Sequence, residues 1–176
     1  NIVLLSHSGV GKTTLAESLA FASGAAQRRG SVGEGSTASD YDEEEIARRQ
    51  SIFVSLLRLG HAGKTVNLLD TPGTLDFTGE LVSGVYAADA ALVLVSAVAG
   101  VETGTVRCWD IAGARSLPRA IFLNRMDREN ANFAKALESC RAAFGEGCVP
   151  VQLPIGAHTT FSGLVDLIAD KAYHYG

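Results

Sequence analysis

The chain has 176 residues, of which 47% are hydrophobic and 19% are charged. It can therefore bury a core, and a charge-dominated disordered chain is excluded. Its 15 basic and 19 acidic residues give a formal net charge of −4, without the basic excess typical of a nucleic-acid-coating domain. The 3 cysteines form no CxxC pair, so we expect no disulfide partner and a reducing, cytoplasmic location.

The first part of the chain predicts a strand, a tight loop and a helix. Residues 2–5 form a short apolar run before Ser and Gly residues, which is typical of a buried parallel strand. Residues 14–22 carry apolar side chains at helical spacing, and Gly24 follows where a left-handed C-cap belongs. From 24 to 45 the composition is polar without periodicity, so we interpret it as a long switch loop. Its acidic run 42–45, with two arginines after it, predicts a solvated helical face.

The middle of the chain predicts a hairpin followed by alternating strands and helices. Residues 52–59 and 65–69 flank a Gly-rich turn, which indicates an antiparallel hairpin. Further apolar runs at 91–95 and 120–123 lie between helix-length segments. This order predicts an α/β fold: a mostly parallel sheet with helices on both faces and one antiparallel hairpin strand. No apolar stretch reaches the roughly 20 residues that a membrane span needs, so no membrane partner is expected.

The strongest motif is the octapeptide 6–13, which fits the phosphate-binding loop G-x-x-x-x-G-K-[ST] except at its first glycine. A loop between a strand and a helix aims backbone N–H groups and the positive end of the helix at phosphates. Lys12 would reach the β- and γ-phosphates, and the Thr13 hydroxyl would ligate Mg²⁺. The alternative interpretation is a glycine-rich turn with a surface lysine. The predicted nucleotide-binding residues here are Ser8, Gly9, Val10, Gly11, Lys12, Thr13 and Thr14.

A second motif, the tetrapeptide Asp-Thr-Pro-Gly at 70–73, ends a predicted strand. The carboxylate of Asp70 can hold Mg²⁺ through water, and the N–H of Gly73 can face a γ-phosphate. The same tetrapeptide is also good turn chemistry. Its position downstream of the phosphate loop favours the site over the turn.

A third motif, Asn-Arg-Met-Asp at 124–127, follows a predicted strand and resembles the guanine-reading pattern N-K-x-D of GTPases. One carboxylate, that of Asp127, can accept from both N1–H and N2–H₂ of guanine, whereas adenine presents an acceptor at N1. GTP is therefore predicted over ATP. Asn124 opens the motif, and Arg125 stands where lysine is usual. The alternative interpretation is an ordinary helix entry.

With these motifs in this order, the chain resembles the GTPase domain of translation factors, specifically elongation factor G and its elongation-factor-G-like bacterial paralogues. The resemblance implies a P-loop NTPase fold, GTP and GDP as ligands, Mg²⁺ as cofactor, and the ribosome as partner of the full-length protein in translocation or related remodelling. It also implies a GTP-binding domain over residues 1–149. Residues 150–176 would then be the start of the insert that elongation factor G carries.

The sequence departs from the family pattern at positions used for chemistry. The family reads D-T-P-G-H, with a histidine that helps to place the attacking water, where this chain has Thr74, and threonine cannot replace an imidazole. Ser51 stands in place of the Mg²⁺-binding threonine of the first switch, and Gly9 replaces an aspartate. The resemblance thus implies Lys12, Gly73 and Thr74 as catalytic positions, with slow hydrolysis. It implies Thr13, Ser51 and, through water, Asp70 as metal positions.

Two alternatives remain open from the sequence. One is a ribosome-binding regulatory or protection factor that depends on GTP and hydrolyses it weakly. The other is an unrelated P-loop ATPase or kinase.

Overall fold

A computed structural model of the chain describes residues 1–175. Within them the strands are β1 (Ile2–Leu5), β2 (Ser55–His61), β3 (Lys64–Asp70), β4 (Ala90–Ser96), β5 (Arg119–Asn124), β6 (Gln152–Ile155), β7 (Gly163–Asp166) and β8 (Lys171–His174). The α-helices are α1 (Lys12–Ala22), α2 (Glu43–Arg48), α3 (Thr78–Ala87), α4 (Thr103–Ala114) and α5 (Phe133–Phe144). No helix of this part of the chain is long and apolar enough to cross a membrane.

The larger sheet has the strand order β2-β3-β1-β4-β5. The central strand β1 is parallel to both of its neighbours, β3 and β4, and β2 pairs antiparallel with β3 in a hairpin. The predicted α/β class, with a mostly parallel sheet and one antiparallel hairpin strand, is confirmed. A separate antiparallel sheet of three strands, β6-β7-β8, was not among the predicted strands.

Helices cover both faces of the larger sheet because side chains alternate along its strands. Val3 and Leu5 of β1 join a buried cluster that includes Val85 of α3 and Cys108 of α4. Leu4, between them, joins a second buried cluster with side chains of α1. The short strand β1, buried from Val3 to Leu5, therefore anchors the loop that leads into α1.

The structure corrects the start of the predicted strand at 52–59, which begins at Ser55 instead. The backbone N–H groups of Ile52 and Phe53 donate to the carboxylate of Glu45, and the N–H of Val54 donates to Glu80. These N–H groups are therefore not available to a strand partner. The apolar pattern of the sequence cannot show that two carboxylates bind the backbone N–H groups of residues 52–54.

The chain divides into two compact units. The first comprises Asn1–Leu94 and Thr103–Phe122, and the second comprises Val95–Glu102 and the described residues from Leu123 onward. The small antiparallel sheet lies in the second unit, in the stretch where the sequence predicts an extra module. The predicted division into 1–149 and 150–176 stays a prediction.

Candidate functional site

The loop between β1 and α1 has the backbone of an anion cradle. Gly9 and Gly11 have φ angles of 75° and 106°, in the left-handed region that favours glycine. The helix begins directly after the second of these glycines, at Lys12, two residues earlier than predicted. The first-turn N–H groups of a helix have no partner within the helix, so they remain available to an anion.

Lys12 is buried at the base of this loop. Its side chain is 6% exposed, and its Nζ donates to Ser6 Oγ at 3.0 Å. Burial lowers the pKa of Lys12, while the charge of Asp70 opposes that shift. A Cβ added at Gly73 would lie 2.6 Å from Lys12 Nζ and 2.8 Å from Ser8 Cα. The structure thus brings Ser8, Lys12 and Gly73 together, and only glycine permits that approach.

Two hydroxyl groups and a carboxylate lie close to Lys12. The Thr13 and Ser51 hydroxyls hydrogen-bond to each other at 3.1 Å. Asp70, at the end of β3, is 1% exposed, and within residues 1–175 neither of its carboxylate oxygens has a hydrogen-bond partner. Burial raises the pKa of Asp70 to about 6 against the opposing charge of Lys12. A buried unpartnered carboxylate beside two hydroxyls fits Mg²⁺, which prefers oxygen ligands.

Asp40 is a further acidic group that the sequence did not indicate. It is 4% exposed, and its Oδ1 has no hydrogen-bond partner in the part of the chain that the structure describes. Burial raises the pKa of Asp40, and a hydrogen bond with Ser51 opposes the shift. An aspartate in a polar loop has no distinctive sequence signal, so only the folded chain identifies it.

Two buried glutamates hold the predicted switch loop. Glu17 of α1 accepts hydrogen bonds from the backbone N–H groups of Gly30, Ala38 and Ser39 at 3.1, 2.8 and 3.2 Å. Glu45, 1% exposed, accepts from Ile52 at 2.9 Å and from neighbouring N–H groups. The prediction of a solvated face over 42–45 is therefore wrong for Glu45, because its carboxylate replaces water as the acceptor for backbone donors.

Replacing Glu17 by alanine is expected to lower the free energy of unfolding by about 2–5 kcal/mol, because buried backbone donors lose their acceptor. Urea unfolding measures the loss, and hydrogen exchange should show faster opening over residues 30–39. Glu34→Ala is the matched control, since Glu34 is exposed in the same segment. Equal stability of the two variants would contradict the anchoring role of Glu17.

Asp70→Asn should change the pH dependence of stability in metal-free, nucleotide-free protein. Because burial raises the pKa of Asp70 from 3.8 to about 6, the folded state holds its proton more tightly than the unfolded chain. The protonated Asp70 therefore contributes to the free energy of unfolding below about pH 4, and this contribution is lost as the pH rises through about 6. Relative to wild type, the variant should gain about 3 kcal/mol between about pH 4 and about pH 8, at 1.36 kcal/mol per pKa unit. Urea unfolding in a chelator measures this difference, and a difference that is flat with pH would contradict it.

The motif 124–127, predicted to read guanine, lies in the second unit. Asn124 ends β5, and the backbone then enters the left-handed region at Arg125, with φ 66°. Met126 is buried, and its carbonyl accepts from the His158 N–H at 2.8 Å. The Asp127 side chain is exposed, with its Oδ2 3.7 Å from Arg128 Nε. The motif therefore presents a carboxylate that a ligand can reach.

Comparison with known proteins decides the family. A sequence profile described as the elongation factor Tu GTP binding domain matches residues 1–171. The chain belongs to this family. The chain is 41% identical, over 175 residues or 99% of its length, to a Mycobacterium tuberculosis protein named elongation factor G-like protein. It is 36% identical over the same share to elongation factor G of Mycoplasma pneumoniae.

A solved crystal structure of a Thermus thermophilus protein matches the chain with a TM-score of 0.94 and 40% identity over 99% of its length. The chain spans about a quarter of the length of these proteins, namely 24%, 25% and 26%. The predicted resemblance to the elongation factor G group is confirmed.

The predicted site residues divide between the two units of the chain. The first unit contains Ser8, Gly9, Val10, Gly11, Lys12, Thr13, Thr14, Ser51, Asp70, Gly73 and Thr74. The second contains Asn124, Arg125 and Asp127. Their roles toward a nucleotide stay predictions.

Proposed function

We propose that this GTP-binding domain binds GTP and GDP with Mg²⁺ and hydrolyses GTP in a translation factor of the elongation factor G type. The observation that carries the proposal is the buried Lys12 beside the unpartnered carboxylate of Asp70, at the base of a glycine loop. A buried ammonium and a buried carboxylate close to each other suit a ligand that consists of negatively charged phosphates and a metal cation.

Each group has a role in this proposal. Backbone N–H groups from Ser8 to Gly11 bind phosphate oxygens, and Lys12 binds the β- and γ-phosphates. The hydroxyls of Thr13 and Ser51 would hold Mg²⁺, with Asp70 and Asp40 acting through water. When bound, Mg²⁺ would supply positive charge that offsets the negative charge of the phosphate oxygens.

The base is read by the second unit in the same proposal. Asp127 accepts from guanine N1–H and N2–H₂, and the planar head of Arg125 covers the base. Asn124 supports the motif from the end of β5. The family membership of the chain and the exposed carboxylate of Asp127 support this assignment.

We infer that hydrolysis is slow and that the ribosome, in the cytoplasm, is the partner of the full-length protein. The names of the relatives support the ribosome as the partner. Thr74 supports the slow rate, because a neutral hydroxyl has neither the two ring nitrogens nor the titratable proton of an imidazole.

Single-turnover GTP hydrolysis by the full-length protein, with and without excess ribosomes, tests this proposal. We expect Mg²⁺-dependent hydrolysis that ribosomes accelerate. Absence of any GTP hydrolysis in both conditions would contradict the GTPase assignment.

Thr74, in place of an imidazole, also favours a second candidate, a GTP-dependent regulatory or protection factor with weak hydrolysis. In that case ribosomes would bind the GTP-bound protein without accelerating hydrolysis. Co-sedimentation with ribosomes, measured beside the turnover assay, distinguishes the two candidates.

A further inference from the structure

One side-chain hydrogen bond joins the two loops that meet beside Lys12. Gln50 Nε2 donates to Thr74 Oγ1 at 2.7 Å, across a separation of 24 residues. Both side chains are half-buried. A short bond between partly shielded groups can hold two loops together, because water competes with it less than on an open surface.

The backbone around Gln50 is fixed independently of this bond. The Gln50 N–H donates to the Glu45 carbonyl at 3.1 Å, and the Glu45 carboxylate accepts from the N–H groups of Ile52 and Phe53. On the other loop, the Thr74 carbonyl accepts from the Phe77 N–H at 3.3 Å. The hydrogen bond between the side chains therefore joins two already ordered segments.

The position of the pair relates it to the phosphate loop. Gln50 precedes Ser51, whose hydroxyl bonds to Thr13. Thr74 follows Gly73, whose backbone lies against Lys12 Nζ. One loop carries the proposed metal position, Ser51, and the other carries the proposed γ-phosphate contact, Gly73. The Gln50–Thr74 hydrogen bond links the two loops through the residues next to these positions.

The chemistry of the pair makes it directional. The amide nitrogen of Gln50 donates, so Thr74 Oγ1 accepts and keeps its own proton for another acceptor. Within residues 1–175, no other hydrogen bond of either side chain accompanies this one. A valine at position 74 keeps the shape of threonine but cannot accept, whereas a serine can.

We propose that Gln50 is a positioning residue for GTP hydrolysis, which acts through Thr74. The bond holds the loop of Ser51 against the loop of Gly73, so that both present their groups to the phosphate end of the nucleotide together. The inference rests on the proposed GTPase function. Binding of GDP depends on the phosphate loop itself and should not require the bond, because GDP has no γ-phosphate for the two loops to enclose.

The test is a double-mutant cycle on the full-length protein with Gln50→Leu, Thr74→Val and the combined variant. Single-turnover hydrolysis at saturating GTP, with excess ribosomes, should slow about tenfold in each single variant and no further in the combined one, because one bond is lost in every case. Thr74→Ser, which keeps an accepting hydroxyl, should lose clearly less of the rate than Thr74→Val. GDP affinity should stay within about twofold throughout.

Two controls keep the result interpretable. Gln27→Leu makes the same chemical change at an exposed glutamine and should leave the rate unchanged. Hydrogen exchange over residues 50–53 should stay as slow as in wild type in Gln50→Leu, Thr74→Val and Gln27→Leu, because Glu45 holds that backbone independently of the side-chain bond.

The outcomes separate the inference from the function on which it rests. Unchanged rates, or a combined loss equal to the product of the single losses, would overturn the positioning role alone, as would a loss of rate in Thr74→Ser as large as that in Thr74→Val. A wild-type protein that binds GDP but never hydrolyses GTP would overturn the proposed function and this inference with it.

Discussion

Lys12→Ala lowers the affinity of the protein for Mg²⁺-GDP and Mg²⁺-GTP by about 100-fold or more, which corresponds to about 3 kcal/mol. The physical reason is that the buried ammonium compensates phosphate charge in a closed loop, where charge-assisted hydrogen bonds are strong. Lys12 is 6% exposed, so little water is available to take over this role. Isothermal calorimetry on the full-length protein measures the loss.

Folding should survive this substitution. Burial lowers the pKa of Lys12, which means that the charged form is disfavoured in the nucleotide-free fold. Circular dichroism should therefore show an intact domain. Lys64→Ala, at an exposed lysine of β3, is the matched control and should bind nucleotide normally. Unchanged affinity in a folded Lys12→Ala variant would show that Lys12 is not the phosphate lysine.

Asp127→Asn weakens GTP and GDP binding by about 100-fold and moves the preference toward xanthine nucleotides. The carboxylate accepts from two neighbouring donors of guanine, whereas an amide offers a donor where the 2-oxo group of xanthine needs one. The exposed Asp127 side chain should be replaceable without loss of the fold.

Competition between labelled GDP and unlabelled XDP or GDP measures this exchange of preference. Asp110→Asn is the control, because Asp110 is an exposed aspartate of α4. A variant that binds GDP as tightly as wild type, with no gain for XDP, would remove Asp127 from the base-reading role.

The features that the sequence predicted share one property: their signals are local. The strand, glycine loop and helix around Lys12 are contiguous, and glycine at positions 9 and 11 permits the left-handed backbone that the loop adopts there. The hairpin β2–β3 likewise follows from two apolar runs around a glycine turn. The predicted fold class depended only on this order of local patterns.

The features that it did not predict depend on contacts between residues far apart in the chain. Glu17 binds backbone donors at Ala38 and Ser39, which no helical pattern in α1 indicates. In the sequence Glu45 is one of several consecutive acidic residues. In the structure it accepts hydrogen bonds from Ile52 and Phe53, so the strand begins later than predicted. The hydrogen bond between Gln50 and Thr74 joins two segments, and the sequence pattern of neither segment predicts the contact.

The most direct test of the central claim is calorimetric titration of the full-length protein with GDP, GTP and ATP in the presence of Mg²⁺. The account predicts binding of GDP and GTP at one site, with ATP weaker by about 100-fold or more, because adenine leaves the carboxylate of Asp127 unpaired. Equal affinities for GTP and ATP would contradict it.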